Sequence, residues 1–379
     1  GLDDTWHVLF TCVAEEWERV HAGLTRHMGK PLTFAVVEVP GLQISELRPV
    51  WDRVPELLDL VYRPHLRKLI VVPKILDILV RAITSGAKLP DRHWIGESDV
   101  IQWFWKEVVR TGHQEASKSK LLQRLAQQEA DTGHFEVLEN ELSENELGLV
   151  REMQGILITD RSRSRVSFCH DVLADWSRMQ VIQSHGEAIP EFLRVRYANP
   201  HWQKAIRLYG VHLLETHADL DYWNRLLERI SEIRDLMLEA LVFTGDAYQL
   251  LDRAWPFLAA KQGEFLQRLL HRFLHVATLP NPESLRLAKE IGLGELEART
   301  WDRQPLLTYW FDVLRCLVEH KDDVASLAPE KGAQVALTWL RHTPHSFPGR
   351  TEAALLAVTI ATHCLQTQNN EKGKAVYSA

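Results

Sequence analysis

A short hairpin embedded in helical sequence constrains this chain most. Arg165-Val166-Ser167-Phe168 alternates polar and apolar side chains with the period of a strand, and with the apolar run Ile156-Leu157-Ile158 it flanks the polar turn Asp160 to Ser164. Directly afterwards Val172, Trp176 and Met179 recur at helical spacing, so the backbone changes type at Cys169-His170-Asp171. Three helical segments precede the hairpin: one opening at Asp99-Val100-Ile101-Gln102-Trp103-Phe104-Trp105, one from Lys118 to Ala130, and one from Asn145 to Met153. Three helices, a two-stranded wing and a further helix are the order of a winged-helix domain, which we place at residues 96–186.

The segments on either side read differently. Thr5 to Thr11 and Thr33 to Val39 have strand character and bracket a helix from Glu15 to His27, a strand-helix-strand unit too small to close a parallel sheet alone. Residues 1–39 are therefore expected to be the end of a truncated α/β domain. Residues 40–95 are punctuated by Pro49, Pro55, Pro64 and Pro73, each a helix start or boundary, and Ile75, Leu76, Leu79 and Ile83 form one face of the last helix. That pattern predicts a small helical bundle. Over residues 187–379 amphipathic helices follow one another with short Pro, Gly or Asp breaks and no comparable strand signal, which predicts an irregular α-solenoid with a frayed polar tail from Gln366. The fold class expected is mainly α.

Composition narrows the function classes. The 379 residues exceed one ordinary domain, and a hydrophobic fraction of 45% argues against a disordered chain. A net charge of −7 disfavours non-specific nucleic-acid binding as the main activity. Cys12, Cys169, Cys316 and Cys364 lack the spacing of a zinc site or disulfide framework, and a reducing cytoplasm fits them best. No apolar run reaches the ~18–20 residues of a membrane span, so no membrane partner is expected. The start at Gly1 without a signal pattern suggests a fragment.

Few motifs carry chemistry. Gly112 to Ser119 approaches a phosphate-binding loop but lacks the second glycine and follows a helix, so it reads as an interhelical loop. His271 and His275 stand four apart on a helix without a third ligand, and no metal site is expected. Arg161, Arg163 and Arg165 on the wing could touch a nucleic-acid backbone, although the acidic run Glu136 to Glu146 opposes it. His170-Asp171 sits where a helix start exposes free N–H groups. There Asp171 can cap the helix or His170 can face an anion.

Together these features resemble the STAND-type signalling ATPases, the group containing NACHT and NB-ARC proteins and bacterial antiphage sensors. Val8-Leu9-Phe10-Thr11-Cys12 followed by Glu15 to Val20 resembles the sensor 1 strand and its helix. Val71-Val72-Pro73-Lys74-Ile75-Leu76 resembles the helical-domain motif whose proline packs on adenine. Phe168-Cys169-His170-Asp171 is similar to the winged-helix motif whose histidine approaches the β-phosphate of ADP.

The resemblance implies ATP or ADP, with magnesium in the parent protein, as cofactor, and Thr11, Pro73 and His170 as nucleotide-contacting residues. It implies an upstream nucleotide-binding domain in the same chain, a protein ligand on the helical array, homo-oligomerisation on activation, and antiviral defence as the setting. Two departures stand out. Val13 occupies the place of the usual sensor 1 arginine, and Walker A and Walker B elements are absent, so this polypeptide is expected not to hydrolyse ATP by itself. The alternatives are a winged-helix nucleic-acid-binding regulator and a non-catalytic interaction scaffold.

Overall fold

The computed structural model describes residues 42–90, 94–216, 220–292 and 302–377. The expected α/β remnant, with Thr11 and Val13, lies outside the described residues. Contacts divide the chain into two compact units: one is Gly41–Leu274 with Leu307–Ala379, and the other includes His275–Leu306. The fold is mainly helical with small antiparallel sheets.

Prolines set the first helices of the larger unit. Pro64 and Pro73 occupy first-turn positions of helices Pro64–Ile70 and Pro73–Thr84, where the missing N–H costs nothing and the fixed φ already suits a helix. The Pro73 helix buries Ile75, Leu76, Ile78, Leu79 and Ala82. Ile78 and Ala82 complete the buried stripe in place of the expected Ile83, which is only partly covered.

Three helices and a small sheet follow in the expected order; the first two helices are longer than expected and the third is shifted by one residue. Helix Glu97–Phe104 continues as a π-helical turn over Trp105–Val109, helix Glu115–Thr132 comes next, and Glu144–Glu152 is third. The last of these starts with a capping box: Ser143 Oγ accepts from Glu146 N–H, and the Glu146 carboxylate accepts from Ser143 N–H at 2.9 Å.

The wing has three strands. β1 (Val137–Leu138) joins β2 (Leu157–Asp160) and β3 (Arg165–Phe168) in the order β1-β3-β2, with Val137 opposite Val166 and Asp160 opposite Arg165. A two-residue strand carries no readable period, which is why β1 escapes sequence analysis. Helix Asp171–Ser184 then packs on the Glu115 helix and on helix Pro200–Thr216.

From Pro200 onward helices bury one another's faces. The Pro200 helix packs on Arg234–Phe243, and Gly210 makes the close approach possible: a Cβ there would lie 2.8 Å from the Ala240 Cβ. Further along, helices Leu307–Glu319, Lys321–Leu327 and Pro329–His342 all contact Arg350–Tyr377. Trp202, Trp223, Trp310 and Trp339 are fully buried, so these four tryptophans are core.

Helix Ala247–Val276 is broken at Ala260–Gly263, where Lys261, Gln262 and Gly263 have φ of 52°, 60° and 73°. In the smaller unit β4 (Thr278–Pro280) pairs with β5 (Arg303–Pro305), two short strands in a region whose sequence carries no comparable strand signal.

The break is locked by Leu327. A Cβ on Gly263 would stand 2.7 Å from the Leu327 Cβ, at a φ that L-residues avoid. Gly263→Ala is expected to lower the unfolding free energy by ~1–3 kcal/mol, since strain and overpacking act together. An unchanged urea midpoint would contradict it.

Candidate functional site

The helix start after the wing is built by β3. Phe168 pairs with Leu157, Cys169 N–H donates to the Ile156 carbonyl at 2.9 Å, and the Cys169 thiol donates to the Gly155 carbonyl. His170 is thereby held extended, at φ −137° and ψ 136°, as the residue preceding the helix. It caps only through its carbonyl, which accepts from Leu173 N–H at 3.0 Å. Asp171 is the first helical residue rather than the cap, and its Oδ1 accepts from Val172 N–H at 2.9 Å.

The His170 ring points away from its own helix. Its Nε2 lies 2.8 Å from Oδ2 of Asp77, on the Pro73 helix, and the carboxylate can only accept. Beside this contact Lys74 Nζ donates to Asp171 Oδ1 at 2.7 Å, and Arg81 Nε donates to Asp77 Oδ1 at 2.9 Å. Two contacts thus connect the Pro73 helix to His170-Asp171, spanning 93 and 97 residues of sequence.

The electrostatics favour ionised acids at both contacts. Burial raises the Asp77 carboxyl, but hydrogen bonds from His170 and Arg81 outweigh it and leave the group below its ordinary range. Burial likewise raises Asp171, and Lys74 overrides it. The Lys74–Asp171 side chains remain about half exposed, so that pair supplies register more than stability. His170 is the more enclosed, at 22% side-chain exposure.

The sequence-singled residues fall as follows. His170 and the Pro73 helix are brought together, while Pro73 itself is exposed at the first turn. Lys74, Asp77 and Arg81 join His170 only through the fold. Their i, i+3, i+7 spacing puts them on one helical face, but only the fold shows what that face meets. A cleft of about 430 Å³ begins at Arg81 and is lined further by Thr84, Glu107, Thr111, Gln154 and Leu173 among others.

Other candidates find structural employment. On the wing Arg165 pairs with Glu136 at 2.6 Å, and Arg163 lies 3.8 Å from Asp160. Trp103 Nε1 donates to the Lys88 carbonyl and its ring meets Trp94, whereas Trp105 Nε1 donates to Ser119. The Gly112 to Ser119 segment is a loop only as far as Gln114: Lys118 lies in the first turn of helix Glu115–Thr132, donates to the Thr111 carbonyl and pairs with Glu152.

Among the described residues no group of three or more His, Cys, Asp or Glu is placed to hold a metal ion. No described helix is long and apolar enough to cross a membrane. Neither a protein-family model nor a curated protein sequence matches this chain.

Proposed function

We propose that this chain is the lid, winged-helix and sensor part of a STAND-type nucleotide switch. The observation that carries the reading is the contact of His170 Nε2 with Asp77 on the Pro73 helix, reinforced by Lys74–Asp171. The two motifs that the resemblance assigns to opposite ends of a bound nucleotide are neighbours, although a winged helix as such does not require it.

Asp77 presents His170 with an anionic oxygen acceptor. A phosphate oxygen is another anionic acceptor, so a diphosphate arriving from the nucleotide-binding domain would share His170 Nε2 with Asp77 while its adenine lay on the exposed Pro73. ADP would favour the closed arrangement, and exchange for ATP would release it and allow oligomerisation. Such a switch works only if the two nucleotides bind the two states differently; a contact of ~1–3 kcal/mol gives a ratio of ~5–150-fold. The helical array would present the surface for a protein ligand that biases the exchange, in a signalling role of the antiviral-defence type.

The test is His170→Ala in the full-length protein, with retained nucleotide and particle mass measured before any trigger. ADP retention is expected to fall and spontaneous oligomers to rise. Unchanged retention together with an unchanged monomer would remove His170 from the switch.

A further inference from the structure

The helix before the Pro73 helix reaches toward the helices beyond Pro200 through one half-buried cation. Lys68, on helix Pro64–Ile70, donates from Nζ to the Thr244 carbonyl at 2.9 Å and lies 5.7 Å from the centre of the Tyr309 ring. Thr244 is fully buried just beyond helix Arg234–Phe243, so the ammonium sits at that helix's C-terminal end, where the dipole favours a cation. Burial lowers the Lys68 pKa, and the nearby charges of Asp312, Glu215 and Asp246 oppose that drop. The acids come from different array segments: Glu215 ends the Pro200 helix, Asp246 precedes Ala247, and Asp312 lies on the Leu307 helix.

The Lys68 helix is tied closely to the next one. Only Val71 and Val72 separate it from Pro73; Val72 N–H donates to the Leu69 carbonyl, and Leu76 N–H donates to the Val72 carbonyl. The two helices also pack on each other. Six residues after Lys68 comes Lys74, and nine after it comes Asp77, the residues that meet Asp171 and His170. One helix pair therefore grips the array at one end and the winged helix at the other.

We infer that Lys68 is a positioning residue through which the array sets the His170–Asp77 contact: seated among Thr244, Tyr309 and the array acids, it keeps the helix pair where Asp77 and Lys74 reach the winged helix. This rests on reading the His170–Asp77 contact as a latch. A change in the array that displaces the Lys68 ammonium would tilt the pair and loosen the latch. No residue of the array has to touch nucleotide.

The experiment is amide hydrogen exchange on the full 379-residue chain, without nucleotide, comparing the parent with Lys68→Met. Methionine keeps the length of the four-atom stem and removes the ammonium. Exchange over Pro73–Thr84 and at Asp171 to Leu173 is expected to rise on the order of tenfold, the mark of a local opening. Parent-like exchange overturns the inference.

If Lys68→Met does not fold, Asp312→Asn weakens the same seat from the array side. A rise at Pro73–Thr84 supports the coupling, and none overturns it. A local loss of stability is separated by an Asp77→Asn background. There Lys68→Met should add nothing at Asp171 to Leu173, and an undiminished extra rise would show that Lys68 acts without the latch. Because nucleotide is absent throughout, failure here leaves the His170→Ala test of the switch independent.

Discussion

Arg178→Ala is expected to lower the unfolding free energy by ~3–5 kcal/mol, the cost of removing one partner from a buried ion cluster. Arg178 is 3% exposed in helix Asp171–Ser184. It donates to Glu129 Oε1 at 2.9 Å, to the Ala126 carbonyl at 3.3 Å and to the His201 carbonyl at 3.2 Å, and it also pairs with Asp175. Lys204 reaches the other oxygen of Asp175 at 2.9 Å.

Glu129 and Asp175 are themselves buried. Burial already pushes the Glu129 carboxyl up to about 7 even with Arg178 beside it, so without the guanidinium it would have to take up a proton or admit water. The double variant Arg178→Met with Glu129→Gln should recover part of the loss, since the charge left unpaired is the main penalty. Equal urea midpoints for the parent and Arg178→Ala would refute the account, and no recovery in the double variant would place the cost in packing.

Glu215→Gln should stabilise the chain at about pH 8 by ~2–3 kcal/mol and have little effect at about pH 4.5. Burial pushes the Glu215 carboxyl up to about 7, with Asp99 and Glu97 adding to the rise and backbone N–H groups of Gly245 and Ser98 opposing it. Lys68 is the cation facing it. Its Oε1 accepts from Gly245 N–H at 2.9 Å, and its Oε2 is buried with no hydrogen-bond partner.

The folded state thus keeps a proton that the unfolded state releases near the model carboxylate value of 4.5. Stability from this group is present at low pH and is lost as pH rises through about 7. Glutamine keeps the Oε1 acceptor and never ionises. Urea midpoints of parent and variant at the two pH values check the prediction; a difference independent of pH would remove Glu215 as the titrating group.

Both predictions concern residues that periodicity alone passes over. Arg178 occupies a helical position between Trp176 and Met179, and the apolar spacing there is visible without it. That it is buried depends on Glu129 and His201, 49 and 23 residues away. Glu215 likewise reads as an ordinary polar residue at a helix end, until Gly96 and Gly245 close over it so tightly that a Cβ on Gly96 would stand 2.1 Å from its Oε1.

The features legible in the sequence are those whose physics is local. The mainly helical class follows from 3.6-residue periodicity, the Pro64 and Pro73 helix starts from a fixed φ and a missing donor, and the β2–β3 hairpin from alternation around a polar turn. The strand-to-helix change at His170 follows from the same periods. What each surface meets depends on packing: β1 completes the three-stranded sheet, Arg165 is taken by Glu136, and Lys68 reaches the Thr244 carbonyl. Packing also decides that His170 faces Asp77 rather than its own helix. These contacts join residues tens to hundreds of positions apart, and their strength depends on how far packing excludes water, a property that no local window of sequence contains.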